Sequence, residues 1–266
     1  MGLYEHTGLG TEVLIIGHRK MEKGRDIEEF CGGDGNEYDA VVVGSGYGGS
    51  IAAYRMSVAG IKVCLVEKGR RWDASDFPTT SVQMMSAVRV EAGNWGISFG
   101  PKNALFQVYE QDDSFLGVAC GLGGGSLVNA GVMVSTPVRV RRNPKWPKEW
   151  QNDWESCEAS ASAMLNPQTV PIEFANARAM REVCDEIEES SASSIKLSVN
   201  FEHEGTDSTG SQGLEKCLAC GNCMSGCPYN AKNSTDKNYL AYAIKVSCLF
   251  LSTKIHLKGT LFKYGR

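Results

Sequence analysis

Two short, unbroken apolar runs stand out in the pattern of hydrophobic and polar positions. They are Tyr38-Asp39-Ala40-Val41-Val42-Val43 and Ile61-Lys62-Val63-Cys64-Leu65-Val66, and each predicts a buried parallel strand. Between them Ser50 to Val58 reads as a helix with small residues at Ala52 and Ala53, and Gly60 is placed to stop it. Helical periodicity returns in Trp150 to Leu165 and in Phe174 to Glu189. The second of these brings Phe174, Ala177, Met180, Cys184 and Ile187 to one face. Weaker patterns predict a helix over Ser81 to Val90 and strands over Ala104 to Tyr109 and Lys196 to Phe201. Polar stretches at Asp73 to Pro78 and Glu202 to Gly213 read as loops. Asn233-Ser234-Thr235 has the composition of a cap for a helix through Tyr239, Leu240 and Ile244. Leu249 to Leu251 and Ile255 to Leu257 read as returning strands. Residues 1–37 read as an irregular leader with a short strand at Val13 to Gly17.

The turn between the first strand and its helix carries chemistry. Gly44-Ser45-Gly46-Tyr47-Gly48-Gly49 fits G-x-G-x-x-G. Gly44 serves the tight turn, Gly46 admits a pyrophosphate to the backbone, and Gly49 lets the helix pack on the sheet. The helix presents free N–H groups and its positive dipole end to the phosphates. Glu67, at the end of the second strand, is placed to accept hydrogen bonds from both ribose hydroxyls. Its charge opposes a 2′-phosphate, which leaves FAD or NAD. Glycine-rich turns alone are common, but strand, fingerprint, helix, strand and acid in one register are specific.

A second glycine-rich stretch runs from Gly117 to Gly131. Five of the nine residues from Gly117 to Gly125 are glycine, so the backbone there approaches something closely or takes positive φ. A flexible linker is the competing reading, yet the apolar Leu127-Val128 and the hydrogen-bonding Asn129 follow directly. Arg139 to Lys148 is a basic run with two prolines and a tryptophan, read as a solvated loop.

Composition narrows the classes. The 266 residues carry a net charge of −4 and 42% hydrophobic residues, which gives no electrostatic case for nucleic acid. No apolar run approaches membrane-spanning length. Without a recognisable targeting signal, the expectation is a cytoplasmic protein. Ten cysteines in that setting point to reduced thiols or a metal site instead of a disulfide framework. Cys217, Cys220, Cys223, Cys227 and Pro228 form C-x2-C-x2-C-x3-C-P, the spacing of an iron–sulfur run. In two-cluster ferredoxins the fourth cysteine of such a run serves the other cluster, and no second run is present. Iron–sulfur binding, a zinc site and a metal-free cysteine turn therefore all remain open.

Taken together, the chain resembles the glucose–methanol–choline (GMC) flavin oxidoreductases, in particular the cholesterol-oxidase-like branch. Gly44 to Ser50 with Glu67 is similar to that branch's first FAD motif. Gly123-Gly124-Gly125-Ser126-Leu127-Val128-Asn129 is similar to its second, in which the backbone and Asn129 lie against the flavin. Cys217 to Leu240 resembles the stretch through which the branch returns to its FAD domain. The resemblance implies an α/β fold: a Rossmann-like FAD-binding βαβ domain with an incomplete α+β substrate domain. Its divisions are a leader at 1–37, the first part of the FAD domain at 38–150, a partial substrate region with the four-cysteine loop at 151–230, and a return to the FAD domain at 231–266.

It also implies FAD as cofactor, held by Gly44, Gly46, Gly49, Glu67, Gly124, Gly125 and Asn129, and oxidation of a sterol-like or other alcohol at its CH–OH group. The family's catalytic histidine lies near the end of a longer chain, and His6, His18, His203 and His256 match none of its motifs. No catalytic residue is assigned. The expectation is an N-terminal half with weak or no turnover. The rival readings are a truncated non-catalytic flavin binder, a small NAD-linked dehydrogenase and an iron–sulfur electron carrier.

Overall fold

Val42, Val63 and Leu65 have no exposed surface, and they form one side of a parallel strand pair. The other side carries Val41, Cys64 and Val66, which pack together with Tyr38. Side chains alternate across a strand, so two apolar faces on one pair mean a sheet covered on both sides. The structure is a computed structural model and describes residues 13–14, 38–93, 96–111, 113–187, 193–202, 213–246 and 248–252. Most of the expected leader lies outside the described residues, as do Glu202-to-Gly213 positions 203–212 and the expected strand at Ile255 to Leu257.

In chain order the strands are β1 (Val13–Leu14), β2 (Ala40–Val43), β3 (Val63–Glu67), β4 (Val88–Ala92), β5 (Ile97–Phe99), β6 (Phe106–Gln111), β7 (Ser114–Ala119), β8 (Val132–Met133), β9 (Gln168–Thr169), β10 (Lys196–Leu197) and β11 (Cys248–Ser252). The α-helices are α1 (Tyr47–Val58), α2 (Ser81–Ser86), α3 (Val138–Arg141), α4 (Lys148–Leu165), α5 (Ala175–Glu186) and α6 (Tyr239–Val246). The first sheet has the order β1-β2-β3-β11. β2, β3 and β11 run parallel, with Val42 opposite Leu65 and Phe250 opposite Leu65 on the far side, while β1 joins antiparallel. β2, α1 and β3 thus form the expected βαβ unit, and β11 is the expected returning strand.

α1 begins at Tyr47, inside the fingerprint, and ends where Gly60 takes φ +83°. Ala53 of α1 and Leu240 and Ala243 of α6 close over Val42, Val63 and Leu65 as one core. Tyr54 meets Tyr239 edge-on at 5.5 Å. Each fully buried Leu or Val of this kind contributes about 1.5–3 kcal/mol.

A second sheet, β5-β4-β6-β7, is mixed: β4 and β6 are parallel and the outer pairs antiparallel. Its β4 corrects the helix expected over Ser81 to Val90. Only Ser81–Ser86 is helical, started by Thr80, whose hydroxyl accepts from Gln83 N–H while the Gln83 side chain accepts from Thr80 N–H. From Val88 the backbone pairs with β6 instead. A third sheet, β8-β10-β9, joins residues far apart in sequence. The basic run is not a loop throughout: it contains α3 and leads into α4. The apolar face expected on α5 exists in sequence, yet Phe174, Met180 and Ile187 are exposed and no residue of the helix is buried.

Candidate functional site

The βαβ unit places its fingerprint loop at the end of β2, where a second and a third loop meet it. Gly44 sits at φ +87° and its N–H donates to Val66 O at 2.7 Å, which turns the chain from β2 into α1. Gly46 is the N-cap residue of α1, and no acidic side chain stands in the first helical turn. That leaves the helix N-terminus favourable for an anion.

Ser45, with no exposed surface, ties the loops together. Its N–H and its hydroxyl both donate to Glu67 Oε2, at 2.8 and 2.6 Å. Its Oγ accepts from Gly123 N–H at 2.9 Å. Glu67 also accepts from Gly69 N–H through Oε1 at 2.7 Å. A carboxylate offers about four lone-pair positions, so Glu67 fixes the fingerprint loop and β3's exit before any ribose arrives. The sequence offers the acid as a ribose ligand. It does not show the second task, holding Ser45.

The glycine-rich stretch is ordered. Cys120 N–H donates to Leu105 O, Trp72 Nε1–H donates to Cys120 O, and Leu122 N–H donates to Arg70 O. Residues Gly124–Leu127 form a 3-10 turn after Gly123, which has φ +110°. Leu127 is buried in a cluster with Trp72, Phe77, Ala87 and Leu105. A Cβ on Gly124 would lie 2.8 Å from Gly46 Cα, so the two glycine loops touch backbone to backbone. A Cβ on Gly44, Gly46 or Gly125 would meet nothing within 4 Å. The two loops are therefore joined at one side and open beside three of the glycines expected to face a dinucleotide. Open backbone at these glycines is compatible with a dinucleotide such as FAD lying against it.

Asn129 donates through Nδ2 to the Tyr47 hydroxyl at 2.6 Å, and its Oδ1 accepts from Gly131 N–H at 3.1 Å. Burial pushes the Tyr47 hydroxyl pKa up, against a smaller downward pull from the Asn129 hydrogen bond.

The third loop was misread as a helix cap. The helix begins at Tyr239, where Asn238 Oδ1 accepts from its N–H, and Asn233, Ser234 and Thr235 are buried before it. Thr235 is turned toward the flavin-motif loop. Its N–H donates to Ser126 Oγ at 3.0 Å, its hydroxyl donates to Gly123 O at 3.2 Å, and Ser126 Oγ donates to the same carbonyl at 2.7 Å. Nearby, Lys232 is buried and donates to Leu127 O at 2.8 Å, Cys223 O at 3.0 Å and Asn129 O. Burial lowers its pKa to about 8, although the nearby Cys223, Cys227 and Asp236 pull it upward. Burial also raises the Asp236 carboxyl, with Ser234 and Lys237 opposing. No spacing rule links Ser45, Ser126, Thr235 or Lys232. The only signal was Ser45 lying between two glycines and Ser126 directly after one.

Among the described residues, no three His, Cys, Asp or Glu side chains gather in a metal-holding group. Cys217 Sγ accepts from Ala219 N–H at 3.4 Å and Cys227 Sγ from Ala231 N–H at 3.2 Å, while Cys220 is exposed. Two of the thiols thus serve as acceptors within their own turns, and the described residues give no support to iron–sulfur or zinc at Cys217, Cys220, Cys223 and Cys227. Burial pushes the thiols of Cys217 and Cys223 up. The loop packs on the core: Gly226 lies against Phe77, and Asn222 Nδ2 donates to Pro78 O at 3.0 Å. His6, His18, His203 and His256 all lie outside the described residues. Among the described residues no helix is long and apolar enough to cross a membrane.

Comparison with known proteins agrees with this geometry. The chain is 28% identical over 228 residues to a cholesterol oxidase of Acinetobacter baumannii, covering 79% of this chain and 39% of that protein. It is 28% identical over 222 residues to a cholesterol oxidase of Mycobacterium tuberculosis, covering 78% and 37%. Long-chain-alcohol oxidase FAO4B of Arabidopsis thaliana is 27% identical over 223 residues, covering 80% and 26%. The chain thus spans well under half the length of these relatives. The GMC oxidoreductase profile, which describes the N-terminal part of that family, matches residues 38–263, from the start of the βαβ unit to beyond β11. On this match, and with two glycine loops locked together beside an acid-ended strand, the chain belongs to the GMC oxidoreductase family.

Proposed function

We propose that this chain holds FAD across its two glycine loops and serves the oxidation of an alcohol at its CH–OH carbon. The family implies FAD, and the observation that carries the reading is the backbone contact between Gly124 and Gly46, with open space beside Gly44, Gly46 and Gly125. Gly44, Gly46 and the N-terminus of α1 receive the pyrophosphate, with Gly49 allowing α1 to sit close to the sheet. Glu67 orders the fingerprint loop through Ser45 and is the acid placed for the ribose. Gly124, Gly125 and Asn129 line the flavin, and Tyr47 fixes the Asn129 amide. Bound FAD supplies a hydride acceptor at flavin N5. The chain's own residues contribute position: backbone donors at fixed places and no acidic side chain in the first turn of α1.

The substrate class follows from the relatives' names, a sterol in one group and long-chain alcohols in another. Both are apolar alcohols, and an apolar alcohol is the proposed substrate. Anaerobic mixing of the FAD-loaded chain with a sterol and, separately, with a long-chain alcohol tests this. Loss of visible flavin absorbance with either supports the reading. An unchanged spectrum with both, in a protein that demonstrably binds FAD, overturns alcohol oxidation by this stretch on its own.

A further inference from the structure

Lys232 is 4% exposed. Its three donors are matched by three backbone carbonyls, those of Leu127, Asn129 and Cys223. Among the described residues it makes no ion pair, and Asp236 acts on it only from a distance, pulling its pKa upward. A buried ammonium without a carboxylate is an expensive way to satisfy carbonyls, and a neutral donor would do so at lower cost. Two of its partners belong to the loop that ends in Asn129, while the third belongs to the four-cysteine loop. The cation therefore sits behind the backbone proposed to line the flavin, at the junction of two loops that local sequence does not connect.

We infer that Lys232 is a positioning residue for the flavin: its ammonium holds the Leu127–Asn129 backbone in shape and places a positive charge behind it. The inference rests on the FAD reading above. The charge acts on whatever occupies the front of the loop. A reduced flavin carries more negative charge than an oxidised one, so a fixed cation nearby favours reduction. Lys232 touches neither substrate nor reacting atoms. It acts through the carbonyls it gathers.

The test compares Lys232→Met and Lys232→Arg with the unmodified 266-residue chain. Three quantities are read: FAD dissociation constant by flavin fluorescence, midpoint potential of the bound flavin, and apoprotein melting temperature. For Lys232→Met the expectation is an affinity loss of roughly 10–100-fold, the scale of one lost charge-assisted hydrogen bond, together with a potential shifted to more negative values. Lys232→Arg keeps charge and donors and is expected to restore the potential toward that of the unmodified chain, even where the larger side chain lowers the melting temperature. A folded Lys232→Met chain with unaltered affinity and potential overturns the inference. Should that variant fail to fold, Lys232→Gln takes its place as the uncharged variant, and a Lys232→Arg chain that binds FAD at a potential as negative as that of Lys232→Gln overturns the inference equally. If the unmodified chain binds no FAD, the cofactor reading itself falls and takes this inference with it. Binding by the unmodified chain with no effect of Lys232 removes this inference alone.

Discussion

Replacing Gly124 with alanine probes the contact between the two glycine loops without changing a single polar group. The new methyl carbon would lie 2.8 Å from Gly46 Cα and 3.3 Å from Gly46 N. Carbon atoms in contact settle at about 3.5–4.0 Å, so one loop must move by about 0.7–1.2 Å relative to the other. Both neighbours are backbone, so no rotamer change relieves the contact. Gly124 also has φ +53°, a conformation that costs an L-residue about 1–2 kcal/mol. Adding about 1–3 kcal/mol for overpacking gives about 2–5 kcal/mol. Against a domain stability of about 5–15 kcal/mol the variant should still fold.

Gly60→Ala is the control. Its φ is +83°, but a Cβ there meets nothing within 4 Å. It isolates the backbone strain from the loop clash. Urea unfolding and FAD titration by fluorescence give the two readouts. Gly60→Ala should lose about 1–2 kcal/mol and bind FAD normally. Gly124→Ala should lose more and bind FAD at least about tenfold more weakly, a loss of about 1.4 kcal/mol in binding. A Gly124→Ala chain indistinguishable from Gly60→Ala in both readouts would refute the claim that the loops meet as described.

Two further outcomes follow from the same network. Glu67→Ala leaves the N–H groups of Ser45 and Gly69 without the carboxylate they now share, so it should cost about 2–6 kcal/mol in urea unfolding, at about 1–3 kcal/mol per stranded donor. An unchanged midpoint would mean that Glu67 serves the cofactor only. The second outcome concerns pH. The buried thiols of Cys64 and Cys248 are pushed up from 9.0 to about 12 and about 11. Their folded pKa values exceed the unfolded ones, so their stabilisation is complete below about pH 9 and is lost as pH rises toward 11–12. Lys232 acts oppositely between about 8 and 10.5, because the unfolded chain binds its proton more tightly. Two thiols outweigh one amine, so unfolding free energy should fall above pH 9, and Cys64→Ala should flatten the slope; a slope unaffected by that substitution counts against this assignment.

What the sequence made legible was local. The β2–α1–β3 unit could be read because apolar runs, fingerprint and helix stop lie within thirty residues, roughly the size of a βαβ motif. Gly60 ended α1 as its missing side chain allows, and β11 appeared where a second apolar run follows a helix. Long-range pairing defeated the same approach. Val88–Ala92 continued a weak helical pattern in sequence, but β6 captured it as a strand. Asn233, Ser234 and Thr235 have the side chains of a cap, yet they turned away from the helix: Thr235 to Ser126 and Gly123, Asn233 to Leu165. Cap propensity is worth about 1 kcal/mol and yields to several buried hydrogen bonds. Ser45 was hidden for a related reason, since nothing local tells a serine between glycines that its partners are 22 and 78 positions away. The four-cysteine spacing is specific as a pattern, but among the described residues it comes with no metal-holding group.

The central claim is that the joined glycine loops hold FAD. The most direct measurement is the visible absorption spectrum of the chain purified in the presence of FAD and freed of excess, with the cofactor then released by denaturation and identified. The account predicts flavin bands and release of intact FAD near one equivalent, lost or greatly reduced in Gly124→Ala. A folded, colourless chain, or one that releases a nicotinamide dinucleotide in place of FAD, would contradict it.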